Sequence, residues 1–164
     1  MKCGGRDNAQ KDIVLRGDRL VVPALKQIAL GENGPLKEKP SELGRLHALW
    51  TLDGLEATDK EVLLKAMEDE DPQVRKAAIW ISEPFIKKND VQVIDKLEKL
   101  KGDESYDVQT QLVLSLNYAK TDKAKDIVKN ILEKNSKNQM VAAVQNSIAK
   151  NEEIKKLENE VRQS

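Results

Sequence analysis

The 164-residue chain balances 28 basic against 28 acidic side chains and carries one His, one Cys and 3% aromatic residues. Zero net charge removes the electrostatic case for a nucleic-acid binder, which needs surplus Lys and Arg to neutralise phosphates, although local basic patches remain open. A lone Cys3 makes no internal disulfide, no run approaches the ~20 apolar residues that span a bilayer, and Met1–Gly5 does not lead into a signal-peptide core. With 39% apolar residues, the chain can still build a core if they follow a regular period.

That period is helical. Apolar residues recur at three- and four-residue steps almost throughout, and no run alternates as a half-buried strand does, so the expected fold class is all-α. A first helix is predicted over Arg6–Leu15, stopping at Arg16-Gly17-Asp18, which reads as a glycine stop followed by an Asp N-cap. The second covers Arg19–Leu30, with Pro23 tolerated in its first turn. After the loop Gly31–Lys39, Ser41 caps a third helix ending at Leu52. Thr58 caps a fourth over Asp59–Glu68, with Glu61 at capping-box spacing. Asp71-Pro72 starts a fifth, ending near Pro84. Five more follow at Val91–Lys101, Tyr106–Ala119, Asp122–Asn135, Asn138–Lys150 and Glu152–Arg162, making five antiparallel pairs.

The pairs repeat. Gly44-Arg45-Leu46-His47-Ala48-Leu49-Trp50 aligns with Val74-Arg75-Lys76-Ala77-Ala78-Ile79-Trp80, Arg6-Asp7-Asn8-Ala9 fits the same frame, and the stretches at Val108 and Met140 continue it loosely. Steps of 30 to 39 residues separate the copies, a length that marks an α-solenoid. Ala9, Ala48, Ala77, Ala78, Ala142 and Ala143 would let neighbouring helices approach closely. A tetratricopeptide array expects a uniform period and aromatics at set positions. HEAT-like repeats fit better, because they tolerate variable length and often open with Asp-Pro-x-Val-Arg, here Asp71-Pro72-Gln73-Val74-Arg75.

No constellation of catalytic type emerges. His47 is the only His, so zinc would need a site built from carboxylates, and its expected role is helix packing. The run Glu68-Asp69-Glu70-Asp71 lacks the alternation and central Gly of a calcium loop and reads as acids gathered at a helix N-terminus. No phosphate-binding glycine motif occurs. Arg6, Arg45 and Arg75 share one register. They form either a structural ladder with acids such as Asp7, Asp53 or Asp71, or an exposed stripe for an anion or a partner. Trp50 and Trp80, in equivalent positions, are expected in the core; if both were exposed on the concave face, they would be the first choice for binding hot spots. The candidate partner-binding residues are therefore Arg45, His47, Trp50 and Arg75. Residues 151–164 place Ile154, Leu157 and Val161 at helical spacing, as a capping helix or connector would.

Together, Arg6-Asp7-Asn8-Ala9-Gln10-Lys11, Val14-Leu15-Arg16-Gly17-Asp18, Val21-Val22-Pro23-Ala24-Leu25, Arg45 to Leu55 and Asp71-Pro72-Gln73-Val74-Arg75 resemble the HEAT-repeat region of a bacterial membrane-bound dehydrogenase family. The resemblance covers about residues 6–85, and beyond them only the repeat pattern persists. In that family a sugar-dehydrogenase-like β-propeller precedes the helical repeats, and a c-type cytochrome domain commonly follows. The resemblance implies a periplasmic or exported parent protein, with haem c in a separate domain. This segment contains no Cys-x-x-Cys-His and so no cofactor site of its own, and it has Cys3-Gly4-Gly5 where the family often has a Trp pair. The expectation is a right-handed α-solenoid of about five HEAT-like pairs cut from a larger protein. It would act as a non-catalytic scaffold for protein or for neighbouring domains, without nucleic acid or membrane insertion. An independent cytoplasmic interaction module is the alternative. A HEAT-like DNA glycosylase is a third, and needs a basic groove with a catalytic Asp.

Overall fold

A computed structural model describes residues 4–17 (4–7 through their backbone), 19–33, 38–135, 143–144 and 146–150. Among them the chain is helix, turn and loop, with no strand. The helices are α1 (Gly4–Arg16), α2 (Val22–Ala29), α3 (Glu42–Gly54), α4 (Lys60–Ala66), α5 (Pro72–Ile81), α6 (Glu83–Lys87), α7 (Val91–Lys99), α8 (Tyr106–Leu116) and α9 (Asp122–Lys134), with a 3-10 turn, Arg19–Val21, leading into α2. Two compact units, Met1–Ser82 and Glu83–Ser164, divide the chain. Of the predicted helix Asn138–Lys150, residues 143–144 and 146–150 are described and helical; the rest of it, the predicted helix Glu152–Arg162, the Asp18 cap, Cys3, and the Arg6 and Asp7 side chains lie outside the described residues.

Local chemistry sets the helix starts. Ser41 Oγ accepts from the Gly44 amide at 3.2 Å, and one Asp71 oxygen accepts from the Gln73 and Val74 amides at 2.8 and 3.2 Å, ahead of Pro72. Asp90 and Thr121 cap α7 and α9 in the same way. The cap of α4 is Asp59 and not Thr58: the Asp59 carboxylate accepts from the Val62 amide at 2.9 Å, while Thr58 Oγ1 is buried with no partner. Aspartate outcompetes the neighbouring hydroxyl because an ionised acceptor binds the amide more strongly.

The stretch expected to run from Asp71 to Pro84 as one helix contains a break. Ser82 closes α5 through its amide and hydroxyl on the Ile79 carbonyl (3.2 and 2.7 Å), and Pro84, having no N–H, cannot continue the ladder back to Trp80. A short new helix, α6, starts at Glu83.

Three helix ends share one stop. The Glu32, Ala57 and Asp90 amides reach back to the Gln27, Leu52 and Phe85 carbonyls, and the residue before each, Gly31, Glu56 and Asn89, has φ of +71°, +51° and +56°. This is the left-handed stop that favours Gly, then Asn; Glu56 occupies it against its preference. Gly17, at φ +62°, ends α1 as its glycine implied.

In the first unit α3 packs on α1, α2 and α5, and α4 packs on α2 and α5. First helices of successive pairs thus follow one another, and second helices do likewise. Leu49, Leu52, Leu63, Met67, Val74 and Ile79 are buried in its core. Ala48, Ala77 and Ala78 occupy seams as expected; Ala9 and Ala143 are exposed, and Ala142 is outside the described residues. Where α1 meets α3, a Cβ on Gly54 would lie 2.9 Å from Val14 Cγ2.

The second unit repeats the scheme, with α8 on α6 and α9, and α7 on α6 and α9, around Ile86, Val93, Leu97, Leu112, Leu116 and Ile131. A buried polar clamp joins α8 to α6. Gln111 Nε2 donates to Ser115 Oγ at 2.9 Å, and Ser115 Oγ donates to Glu83 Oε1 at 3.0 Å.

Candidate functional site

Arg45, His47, Trp50 and Arg75 all belong to the first unit, and each has a defined place. Arg45 lies one turn into α3. Helical side chains lean towards the N-terminus, so its guanidinium returns to the segment before the helix, where Nη1 donates to the Pro40 carbonyl at 2.9 Å. The rest of the fork meets the turn between α4 and α5. Nε donates to Asp69 Oδ2 at 2.7 Å and Nη2 to Asp69 Oδ1 at 2.8 Å, a bidentate pairing that lysine could not copy.

Arg45 is 3% exposed. The Asp69 hydrogen bond raises its pKa above the ordinary arginine value, outweighing burial, which acts in the opposite sense. Asp69 Oδ1 also accepts from the Asp71 amide at 2.8 Å, and Arg75 Nη1 donates to the Asp69 and Glu70 carbonyls at 2.8 and 3.0 Å.

Two arginines in one repeat register therefore grip the same turn from neighbouring helices. The acids expected as partners were Asp7, Asp53 or Asp71. The structure gives Asp69 to Arg45, because the turn preceding the next first-type helix, and not that helix's own cap, faces the Arg45 fork. Arg6, the third member of the register, has no described side chain.

His47 is half-buried and links α3 to α1, with its Nδ1 2.7 Å from Gln10 Oε1; the imidazole N–H donates to the amide oxygen. The Thr51 hydroxyl donates to the His47 carbonyl at 2.7 Å.

Trp50 and Trp80 do come together, edge to face, with ring centroids 5.4 Å apart and planes at 89°, the arrangement that aromatic quadrupoles favour. Neither is core. Trp50 is half-buried and Trp80 is 52% exposed. The buried face of α5 is Val74, Ala77, Ala78, Ile79 and Ile81, and at 100° per residue Trp80 falls about 120° from its centre. The aromatic pair is thus presented outward while the arginines behind it fix the turn.

Asp69 escaped recognition as a distinct residue because it stands in a run of four acids, where composition alone gives no reason to prefer one. The second unit exposes Leu114, which holds the Trp80 register one repeat on, and Tyr118, whose ring lies 4.4 Å below Lys87 Nζ. Among the described residues no group of three His, Cys, Asp or Glu side chains is placed to hold a metal ion, and no helix is long and apolar enough to cross a membrane.

No curated protein and no solved structure matches the chain. The family model described as HEAT repeats matches residues 35–117 and again 61–149, two overlapping spans that take in most of the helices described above. On that match, and on the succession of helix pairs within each unit, the chain belongs to the HEAT-repeat family.

Proposed function

We propose that the chain is a non-catalytic, helical-repeat scaffold that docks protein through the first unit. Trp50 and Trp80 form the contact surface, and Arg45, His47 and Arg75 hold that surface in place. The observation that carries this reading is the outward-facing tryptophan pair. Two indoles in equivalent positions of adjacent repeats, one of them half exposed, provide the rigid aromatic area in which binding energy concentrates.

To test it, the tagged chain is used to isolate complexes from its native source and compared with Trp80→Ala and Trp50→Ala, with far-UV circular dichroism on each. Loss of the same bound protein from both variants, with helicity kept, supports docking at the pair. Variants that change folding alone, with every complex retained, overturn it.

We further propose that the scaffold belongs to a periplasmic or exported dehydrogenase, where it spaces a propeller from a c-type cytochrome domain. The support is the motif resemblance over about residues 6–85. In this reading haem is bound by the neighbouring domain and none by these repeats. The complete reading frame decides the matter: a propeller upstream and a Cys-x-x-Cys-His motif downstream are expected, and a frame lacking both removes the proposal.

A further inference from the structure

In the second unit a groove of about 610 Å³ is lined by Lys99, Lys101 and Gly102 at the end of α7, by Asp95 and Glu98 on α7, and by Lys123 and Lys134 on α9. Four lysines face two carboxylates there, an excess of two positive charges in a chain with no net charge. The charges are not evenly matched along the groove. Lys123 Nζ sits 2.7 Å from Asp95 Oδ1 and 2.8 Å from Glu98 Oε2, and Lys101 Nζ is 3.5 Å from Glu98 Oε1. Hydrogen bonding to Lys123 holds the Glu98 carboxyl below the ordinary carboxylate range. Lys99 and Lys134 line the same groove, and neither has a carboxylate within ion-pair distance among the described residues. Eleven residues of α9 separate Lys123 from Lys134, which at 1.5 Å per residue is about 16 Å.

We propose that this groove binds a short acidic segment of a partner protein in extended form, with its carboxylates on Lys99 and Lys134. About five residues of extended chain cover about 16 Å, whereas a single small anion would leave most of the groove empty. A nucleic acid is disfavoured by Asp95 and Glu98, which oppose a uniformly negative backbone but leave room for the discrete charges of a peptide. The site goes beyond the tryptophan surface and can stand or fall without it.

The experiment titrates the full chain into a fluorescein-labelled peptide with Glu at alternate positions and follows anisotropy at low salt. The same peptide with Gln for Glu, inorganic phosphate, and a single-stranded DNA of equal charge serve as comparisons. The Glu peptide is expected to bind saturably and the Gln peptide not. Raising the salt to about 0.3 M should weaken binding, because screening shortens the reach of exposed charges. Lys99→Gln with Lys134→Gln is expected to weaken it about tenfold, the product of two exposed pairings, with helicity unchanged. Lys129→Gln, on α9 outside the groove lining, removes one charge and should leave affinity alone. Equal affinity for Glu and Gln peptides, a double variant that binds like the wild type, tighter binding of the DNA, full competition by phosphate, or no saturable binding would each overturn the proposal.

Discussion

At the scale of single residues, Arg45 illustrates how a charge becomes structural. Its guanidinium satisfies a carboxylate and a carbonyl at once, and removing it would strand the Asp69 carboxylate, itself only 10% exposed. Arg45→Ala should therefore destabilise the protein by about 3 kcal/mol in urea unfolding, the range found when one partner of a buried pair is deleted. Arg75→Ala, which loses bonds to backbone carbonyls beside a partly exposed turn, should cost about 1 kcal/mol. Asp59 offers a test of charge. Burial alone would raise its carboxyl, but the Lys26 ammonium and the Val62 amide outweigh that and hold it below its ordinary value of 3.8. A carboxyl lowered in the folded state contributes stability that is full above 3.8 and fades as pH falls through the lower folded value. Asp59→Asn keeps a capping oxygen and loses the charge. It should lower stability at pH 7 by about 0.5 kcal/mol, discounted for the exposure of both partners, and remove that part of the acid dependence below pH 3.8. That Arg45 was either a rung of a structural ladder or part of a binding stripe was legible from its repeat register. Its partner was not, because choosing among four consecutive acids requires the direction in which the side chain leaves the helix.

At the scale of elements, the starts of helices were the most readable features and the stops the least. Ser41, Asp71 and Pro72 act within three residues of themselves, so the chemistry that positions them is present in the local sequence. The break at Ser82 was missed because Pro84 marks the second residue of a new helix as well as the end of an old one. The left-handed stop at Glu56 was hidden for a different reason, since Gly31 and, more weakly, Asn89 are residue types that signal the conformation and Glu is not. Glu56→Gly should therefore stabilise the protein by about 1 kcal/mol, the cost of a side chain in that region. Asn89→Gly should be nearly neutral, because relief there is offset by losing the bond that Asn89 Oδ1 accepts from the Lys120 amide at 2.8 Å. Gly54→Ala should destabilise by about 1 kcal/mol or more through overpacking, despite alanine's better helix propensity, because the new methyl meets Val14. Val14→Ala in the same chain should recover most of the loss. Thermal or urea midpoints on the single and double variants check all three changes.

At the scale of the whole molecule, the repeat period predicted both the fold class and the succession of first and second helices, because helix-pair spacing is a property of the linear sequence. The outward tryptophan pair and the lysine groove were not legible, since each depends on which faces of neighbouring helices meet. Repeat proteins gain stability from local neighbours, and both tryptophans lie in the first unit. Indole fluorescence therefore reports that unit, while far-UV circular dichroism reports both. Ile131→Ala, which empties a fully buried site in the second unit, should cost about 3 kcal/mol. It should lower the dichroism midpoint in urea by more than the fluorescence midpoint. Coincident shifts of equal size would show instead that the array unfolds as one cooperative block.

The geometry of the indole pair has an optical consequence as well. Two identical chromophores 5.4 Å apart, with ring planes at 89°, are close enough for their electronic transitions to couple. Circular dichroism is therefore expected to show an exciton contribution that is lost in both Trp50→Ala and Trp80→Ala; identical aromatic-band spectra for the variants and the wild type would rule the coupling out.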